Sequence, residues 1–162
     1  MGVSQAPSGG ASRRGLLCGA AALLALAGCG GGRRRSAPVS GGRSGRPEID
    51  ALISRHARHY GVPESLVHRV VKRESGYNPA ARNGRYVGLM QLDPQTARTM
   101  GYRGPVEGLF DADTNLRYGV KYLRGAWLVA GGDHDAADRW YQRGYYYEAK
   151  RLGLLRETGL RS

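Results

Sequence analysis

The chain has 162 residues, with 25 lysines and arginines against 13 acids and a net charge of +12, enough for one modest domain once its ends are set aside. Two cysteines exclude a disulfide scaffold, and no His and Cys cluster has the spacing of a metal site. The basic surplus suits an anionic polymer or surface, but no nucleic-acid-binding motif accompanies it, so nucleic acid is not an expected partner.

Residues 1–28 have the pattern of a secretory signal peptide: Arg13 and Arg14, an apolar run from Leu16 to Ala27 too short to span a bilayer comfortably, then small residues. Leu26-Ala27-Gly28-Cys29 resembles the lipobox of bacterial lipoproteins, which implies lipidation of Cys29 as the first residue of the mature chain. Ser12-Arg13-Arg14-Gly15-Leu16-Leu17 also resembles a twin-arginine export signal, so the export route stays open. With Cys18 removed, a lone Cys29 allows no intramolecular disulfide, and stability has to come from packing. Residues 30–46 hold five arginines, no acid and almost no apolar side chain. Together with Cys29 they read as a disordered tether with an rms span of about 20–25 Å. The lipoprotein likeness, with Gly30 and no Asp after the cysteine, implies the periplasmic side of the outer membrane.

The domain is expected over residues 47–162, where eighteen lysines and arginines face thirteen acids. Pro47 suits a first helical position, and Ile49, Leu52, Ile53, Ala57 and Tyr60 form a stripe that Gly61 ends. Pro63 restarts a helix with Glu64 in its first turn. Along this helix Val67, Val70, Val71 and Glu74 share one stripe, while Lys72 and Arg73 point elsewhere. A carboxyl on an apolar face, in a last turn, loses solvation of its charged form and meets the negative end of the helix dipole. Both effects favour a proton donor. Gly76 and Pro79 then open the helix onto a loop, and Asn83 to Gly88 predicts a loop or small hairpin beside the glutamate.

Asp93 as N-cap and Pro94 at the first position start a third helix, and a Gly- and Pro-punctuated loop follows from Tyr102 to Gly108. Asp111 and Asp113 cap a long helix in which Leu116, Val120, Leu123 and Trp127 form the buried spine. Gly119 and Gly125 weaken that helix unless another element packs closely there. Gly131-Gly132 break the chain, Asp133 caps again, and Ala136, Ala137, Trp140 and Tyr141 begin the next helix. Of Tyr145, Tyr146 and Tyr147 at least one has to be core, since three consecutive residues cannot share one helical face, and the others offer aromatic faces for stacking. His56, His59 and His68 are expected at the surface.

Gly61-Val62-Pro63, Glu74-Ser75-Gly76-Tyr77-Asn78-Pro79, Gly88-Leu89-Met90-Gln91-Leu92 with Pro94, Thr96 and Ala97, and Leu109-Phe110-Asp111 with Asn115, Tyr118-Gly119 and Tyr122-Leu123 occur in that order. The set resembles the catalytic domain of lytic transglycosylases of the soluble-transglycosylase type, relatives of goose-type lysozyme. The resemblance implies a mostly α, lysozyme-like helical domain with a short loop or β-hairpin beside the active-site helix. It implies Glu74 as sole catalytic acid and base, cleaving the β-1,4 bond between N-acetylmuramic acid and N-acetylglucosamine in peptidoglycan to give 1,6-anhydro ends. Ser75, Asn83, Met90, Gln91 and Tyr141 are the implied substrate-binding residues, with no metal or cofactor and a monomeric chain. Two stretches depart from the family pattern: Arg82 to Val87, where many members carry Ser and Gly-Ala, and Trp140-Tyr141-Gln142-Arg143-Gly144 in place of Ala-Tyr-Asn-x-Gly. Inverting or retaining hydrolysis needs a second carboxylate, and Asp93, Asp111, Asp113, Asp133 and Asp135 sit where capping accounts for them. A hydrolase of the same fold and a non-catalytic wall-binding lipoprotein are the alternatives.

Overall fold

The computed structural model describes residues 44–161; the expected signal peptide, Cys29 and most of the expected tether lie outside them. Six α-helices follow in chain order: α1 (Pro47–Tyr60), α2 (Glu64–Ser75), α3 (Pro94–Thr99), α4 (Ala112–Val129), α5 (His134–Arg143) and α6 (Tyr146–Arg151). A two-stranded antiparallel hairpin, β1 (Arg82–Asn83) and β2 (Tyr86–Val87), lies between α2 and α3, with Asn83 opposite Tyr86. A 3-10 helix, Val106–Phe110, precedes α4. The last residues of the expected tether are engaged by the domain, since Arg46 donates to the Tyr77 carbonyl at 3.0 Å.

Helix ends fall where local chemistry places them. Pro47 opens α1, and Gly61 closes it in the left-handed conformation at φ 63°. Asp93, Asp111 and Asp133 each cap a helix by accepting a backbone N–H, from Gln95 at 2.8 Å, Thr114 at 2.8 Å and Ala136 at 2.7 Å. Asp113 does not cap. It reaches across to α1, where its Oδ1 lies 2.5 Å from an Arg55 nitrogen and 2.6 Å from Nε2 of His56.

The larger core gathers Ile49, Ile53, Leu66, Val67, Val70 and Val71 of α1 and α2 against Leu116, Val120, Leu123 and Ala126 of α4. Trp127 is only partly buried at its margin. Burial of aliphatic side chains at about 25 cal/mol per Å² supplies the main driving force. Gly119 lets α4 close on Met90, and Gly125 lets it close on the hydroxyl of Tyr145; a Cβ at either place would overlap the neighbour. Tyr145 is thus the core member of its tyrosine triplet. A smaller cluster of Val87, Leu92, Ala97, Tyr102 and Leu109 underlies the hairpin and α3.

Two expected surface histidines are buried instead, because each has a polar partner inside. His56 meets Asp113, and Nδ1 of His68 lies 3.2 Å from the Tyr77 hydroxyl.

Candidate active site

The apolar stripe of α2 sinks Val67, Val70 and Val71 fully into the larger core and brings Glu74 to the last turn of the helix. Gly76, at φ 56°, turns the chain away immediately afterwards. The Glu74 side chain keeps 22% of its surface exposed and faces a cleft of about 470 Å³. One wall comes from the hairpin through Asn83 and Tyr86, and the other from α5 through Tyr141 and Gln142. Gln91 and Arg73 complete the lining.

Arg73 does not point away, contrary to the helical projection of its Cα. Its long side chain curls back so that Nε and a terminal nitrogen donate to Oε1 of Glu74 at 3.1 Å and 2.7 Å. The other terminal nitrogen donates to Oδ1 of Asp138 on α5. Desolvation of the carboxyl is therefore opposed by a charge-assisted pair of hydrogen bonds. The sequence holds no signal for this contact, because Asp138 is 65 residues away and its role depends on how α5 lies along α2.

Gly88 to Leu92 form the floor. Backbone bonds between Val87 and Leu92, at 2.9 Å and 3.3 Å, close the segment into a tight turn. Gly88 (φ 77°) and Gln91 (φ 45°) both take left-handed conformations within it. For Gln91 that is a strained state, costing about 1–3 kcal/mol, held here by its amide donating to the carbonyls of Ala81 and Gly88. Met90 does not reach the cleft, since its side chain is fully buried against Gly119. Its backbone is taken up on both sides: the N–H donates to Oδ1 of Asn115 at 2.9 Å, and the carbonyl accepts from the Tyr141 hydroxyl at 2.8 Å. Ser75 spends its hydroxyl on the Leu89 carbonyl at 2.8 Å, so it too fixes the floor rather than lining the cleft.

The structure thus brings together Glu74, Asn83, Gln91 and Tyr141, and leaves Ser75 and Met90 in supporting positions. Burial, and then the nearby Glu74 charge, pushes the Tyr141 phenol well above its ordinary value, so it stays a neutral donor. Arg73, Tyr86, Gln142 and Asp138 belong to the site or its edge and were not singled out from the sequence. Tyr146 and Tyr147 line a separate cavity with Trp140 and Arg143, with Tyr147 84% exposed.

A second cavity of about 480 Å³ lies between α1 and α4, lined by Arg55, His56, His59, Tyr60, Asp113 and Arg117. Its one carboxylate is already held by Arg55 and His56. Burial alone would raise Asp113, but those two partners overcome it and keep the carboxyl below its ordinary value. Among the described residues no three of His, Cys, Asp and Glu converge on a metal-sized site.

Residues 51–148, which contain all of the cleft, match the family described as the transglycosylase SLT domain. The chain belongs to that family. Its SLT domain is 35% identical over 86 residues to membrane-bound lytic murein transglycosylase C of Haemophilus influenzae (strain PittEE), covering 48% of this chain and 23% of that protein. It is 37% identical over 87 residues to the transglycosylase C of Mannheimia succiniciproducens, covering 49% and 24%. Membrane-bound lytic murein transglycosylase E of Buchnera aphidicola is 34% identical over 80 residues, covering 44% and 36%. The matches to the two transglycosylases C span about a quarter of those proteins' length. Among solved structures, the 70 kDa soluble lytic transglycosylase of Escherichia coli superimposes with a TM-score of 0.57 at 23% identity, over 67% of this chain and 19% of that one. The lysozyme-like helical fold implied by the motifs is therefore the fold of the SLT domain here.

Proposed function

We propose that this chain is a peptidoglycan lytic transglycosylase that cleaves between N-acetylmuramic acid and N-acetylglucosamine with Glu74 as acid and then base. The observation that carries the proposal is a single carboxyl in the lining of the cleft, at the end of the helix that the SLT family supplies. Glu74 gives its proton to the glycosidic oxygen as the bond from that oxygen to the anomeric carbon breaks. The muramoyl six-hydroxyl oxygen then closes onto that carbon, and its proton returns to Glu74. No water is consumed, so one carboxyl suffices.

Asn83, Gln91, Gln142 and the ring of Tyr141 are positioned to bracket a glycan strand, while Ser75 and the backbone of Met90 hold the floor beneath it. Asp138 is the one observation that favours a hydrolase, because it adds a carboxylate close to Glu74. It is bound by Arg73, and the cleft lining does not include it. That engagement supports the non-hydrolytic route.

The proposal extends to the whole chain: residues 1–28 as signal peptide, 29–46 as lipidated Cys29 and tether, and 47–162 as the domain, working as a monomer on the periplasmic face of the outer membrane. The printed names of the relatives, which call them membrane-bound, support an anchor. No described helix is long and apolar enough to cross a membrane; the anchor proposed is the lipid on Cys29. The test is Glu74→Gln with mass analysis of the soluble products from sacculi. The parent should release muropeptides one water lighter than reducing ones, and the variant none while keeping its helical fold. Reducing products would establish the hydrolase, and binding without release would establish a non-catalytic wall protein.

A further inference from the structure

We propose that Arg73 and Asp138 form a latch that sets when Glu74 can carry its proton, with Arg73 as a positioning residue for the acid step. The inference rests on the transglycosylase reading of Glu74. Arg73 stands between two carboxylates and donates to both, so one cation serves two anions. The three side chains are partly withdrawn from water, at 31% exposure for Arg73, 22% for Glu74 and 17% for Asp138, so solvent does not screen the competition as it would on an open surface.

The chemistry demands a choice between these partners. As an acid Glu74 must be neutral, with its proton directed at the glycosidic oxygen, whereas a guanidinium on Oε1 favours the carboxylate and occupies that oxygen. Asp138 acts in the opposite sense twice over: it draws Arg73 away, and its own negative charge disfavours a second one nearby. When Arg73 rests on Asp138 alone, Glu74 is free to hold its proton. The charged and titratable groups facing Glu74 are few. They are Arg73 on α2, Asp138 and Tyr141 on α5, and Tyr86 on the hairpin, with Arg85, Asp93, Tyr122 and Arg143 in the adjoining cavity, where Arg85 and Asp93 pair with each other at 2.9 Å. Tyr141 stays neutral, so the balance falls to Arg73 and Asp138.

The same two helices carry an internal control. Arg69, one turn earlier on α2, pairs with Asp135 on α5 at 2.5 Å. It joins the same elements by the same chemistry but takes no part in the cleft.

The test is the pH dependence of kcat/KM for release of anhydro products from purified glycan strands. It compares the parent with Arg73→Gln, Arg73→Lys, Asp138→Asn and Arg69→Gln. Activity falls on the alkaline side where the acid loses its proton. In Arg73→Gln that limb should move up by about 1–3 pH units, the usual effect of removing one adjacent cation. In Asp138→Asn it should move down, since Arg73 is left wholly to Glu74. Arg73→Lys should restore a limb near the parent's, and Arg69→Gln should leave it in place. A limb in Arg73→Gln that stays within about half a pH unit of the parent's, or a shift of the same sign in Arg73→Gln and Asp138→Asn, overturns the latch. Those results would leave the Glu74 assignment intact. A parent that releases no anhydro product removes that assignment and the latch with it.

Discussion

Replacing Asn115 by leucine tests whether the floor of the cleft is held from below. Asn115 is fully buried; its amide donates to the carbonyls of Val87 at 3.0 Å and Leu109 at 2.8 Å, and its oxygen accepts the Met90 N–H at 2.9 Å. Leucine keeps the branched shape and has no polar atom; its methyl groups are bulkier than the amide they replace, so some overpacking adds to the loss of the three hydrogen bonds. Three backbone groups lose their partner, at about 1–3 kcal/mol each, and partial relaxation brings the total to roughly 3–6 kcal/mol. Single domains have about 5–15 kcal/mol in all. Urea unfolding followed by circular dichroism should show the midpoint falling by roughly 1.5–3 M with an unchanged slope. Amide exchange at Met90 and Leu92 should quicken more than exchange in α1. A loss below about 1 kcal/mol would refute the idea that this one side chain anchors the turn.

Tyr141→Phe should cost about 1–2 kcal/mol by urea unfolding, because the Met90 carbonyl loses its buried donor, and should lower turnover on sacculi while the cleft's aromatic wall remains. Gly119→Ala sets helix propensity, worth about 1 kcal/mol in favour, against overlap with Met90, worth about 1–3 kcal/mol against. A net loss in thermal unfolding is expected, and a gain would mean that α4 is not closely packed there. Asp113 is held below its ordinary value despite partial burial, so its stabilisation is complete above the unfolded range near about pH 4 and is lost as pH falls through the lower folded value. Asp113→Asn should therefore be less stable near neutrality and show a shallower loss of stability between about pH 5 and pH 3, followed by urea midpoints at each pH.

Much of the fold was legible because its signals are local. Pro47, Gly61, Asp93, Asp111 and Asp133 mark helix ends by backbone geometry and capping, which depend on neighbours a few residues away. Gly119 and Gly125 announced close contacts, and the α2 stripe placed Glu74 on the buried side. What escaped depends on partners remote in the chain. His56 and His68 are interior because Asp113 and Tyr77 meet them there, and Asp113 serves an ion pair rather than a cap for the same reason. Arg73 was misplaced because a helical projection fixes its Cα and not where a long side chain ends once Asp138 is near. Met90 and Ser75 look like contact residues in a motif, yet their side chains fill and bond the interior, a distinction that motif order does not encode.

The fastening of Met90, its amide to α4 and its carbonyl to α5, separates the depth of the furrow from its rim. Since the base is secured through main-chain atoms and two interior side chains, the exposed Arg82 to Tyr86 lip can vary in residue type without altering how deep the Glu74 carboxyl sits. Rim residues such as Asn83 and Tyr86 are therefore the natural places to graft new preferences for the glycan strand proposed as substrate, in nature or at the bench, with the scaffold left undisturbed.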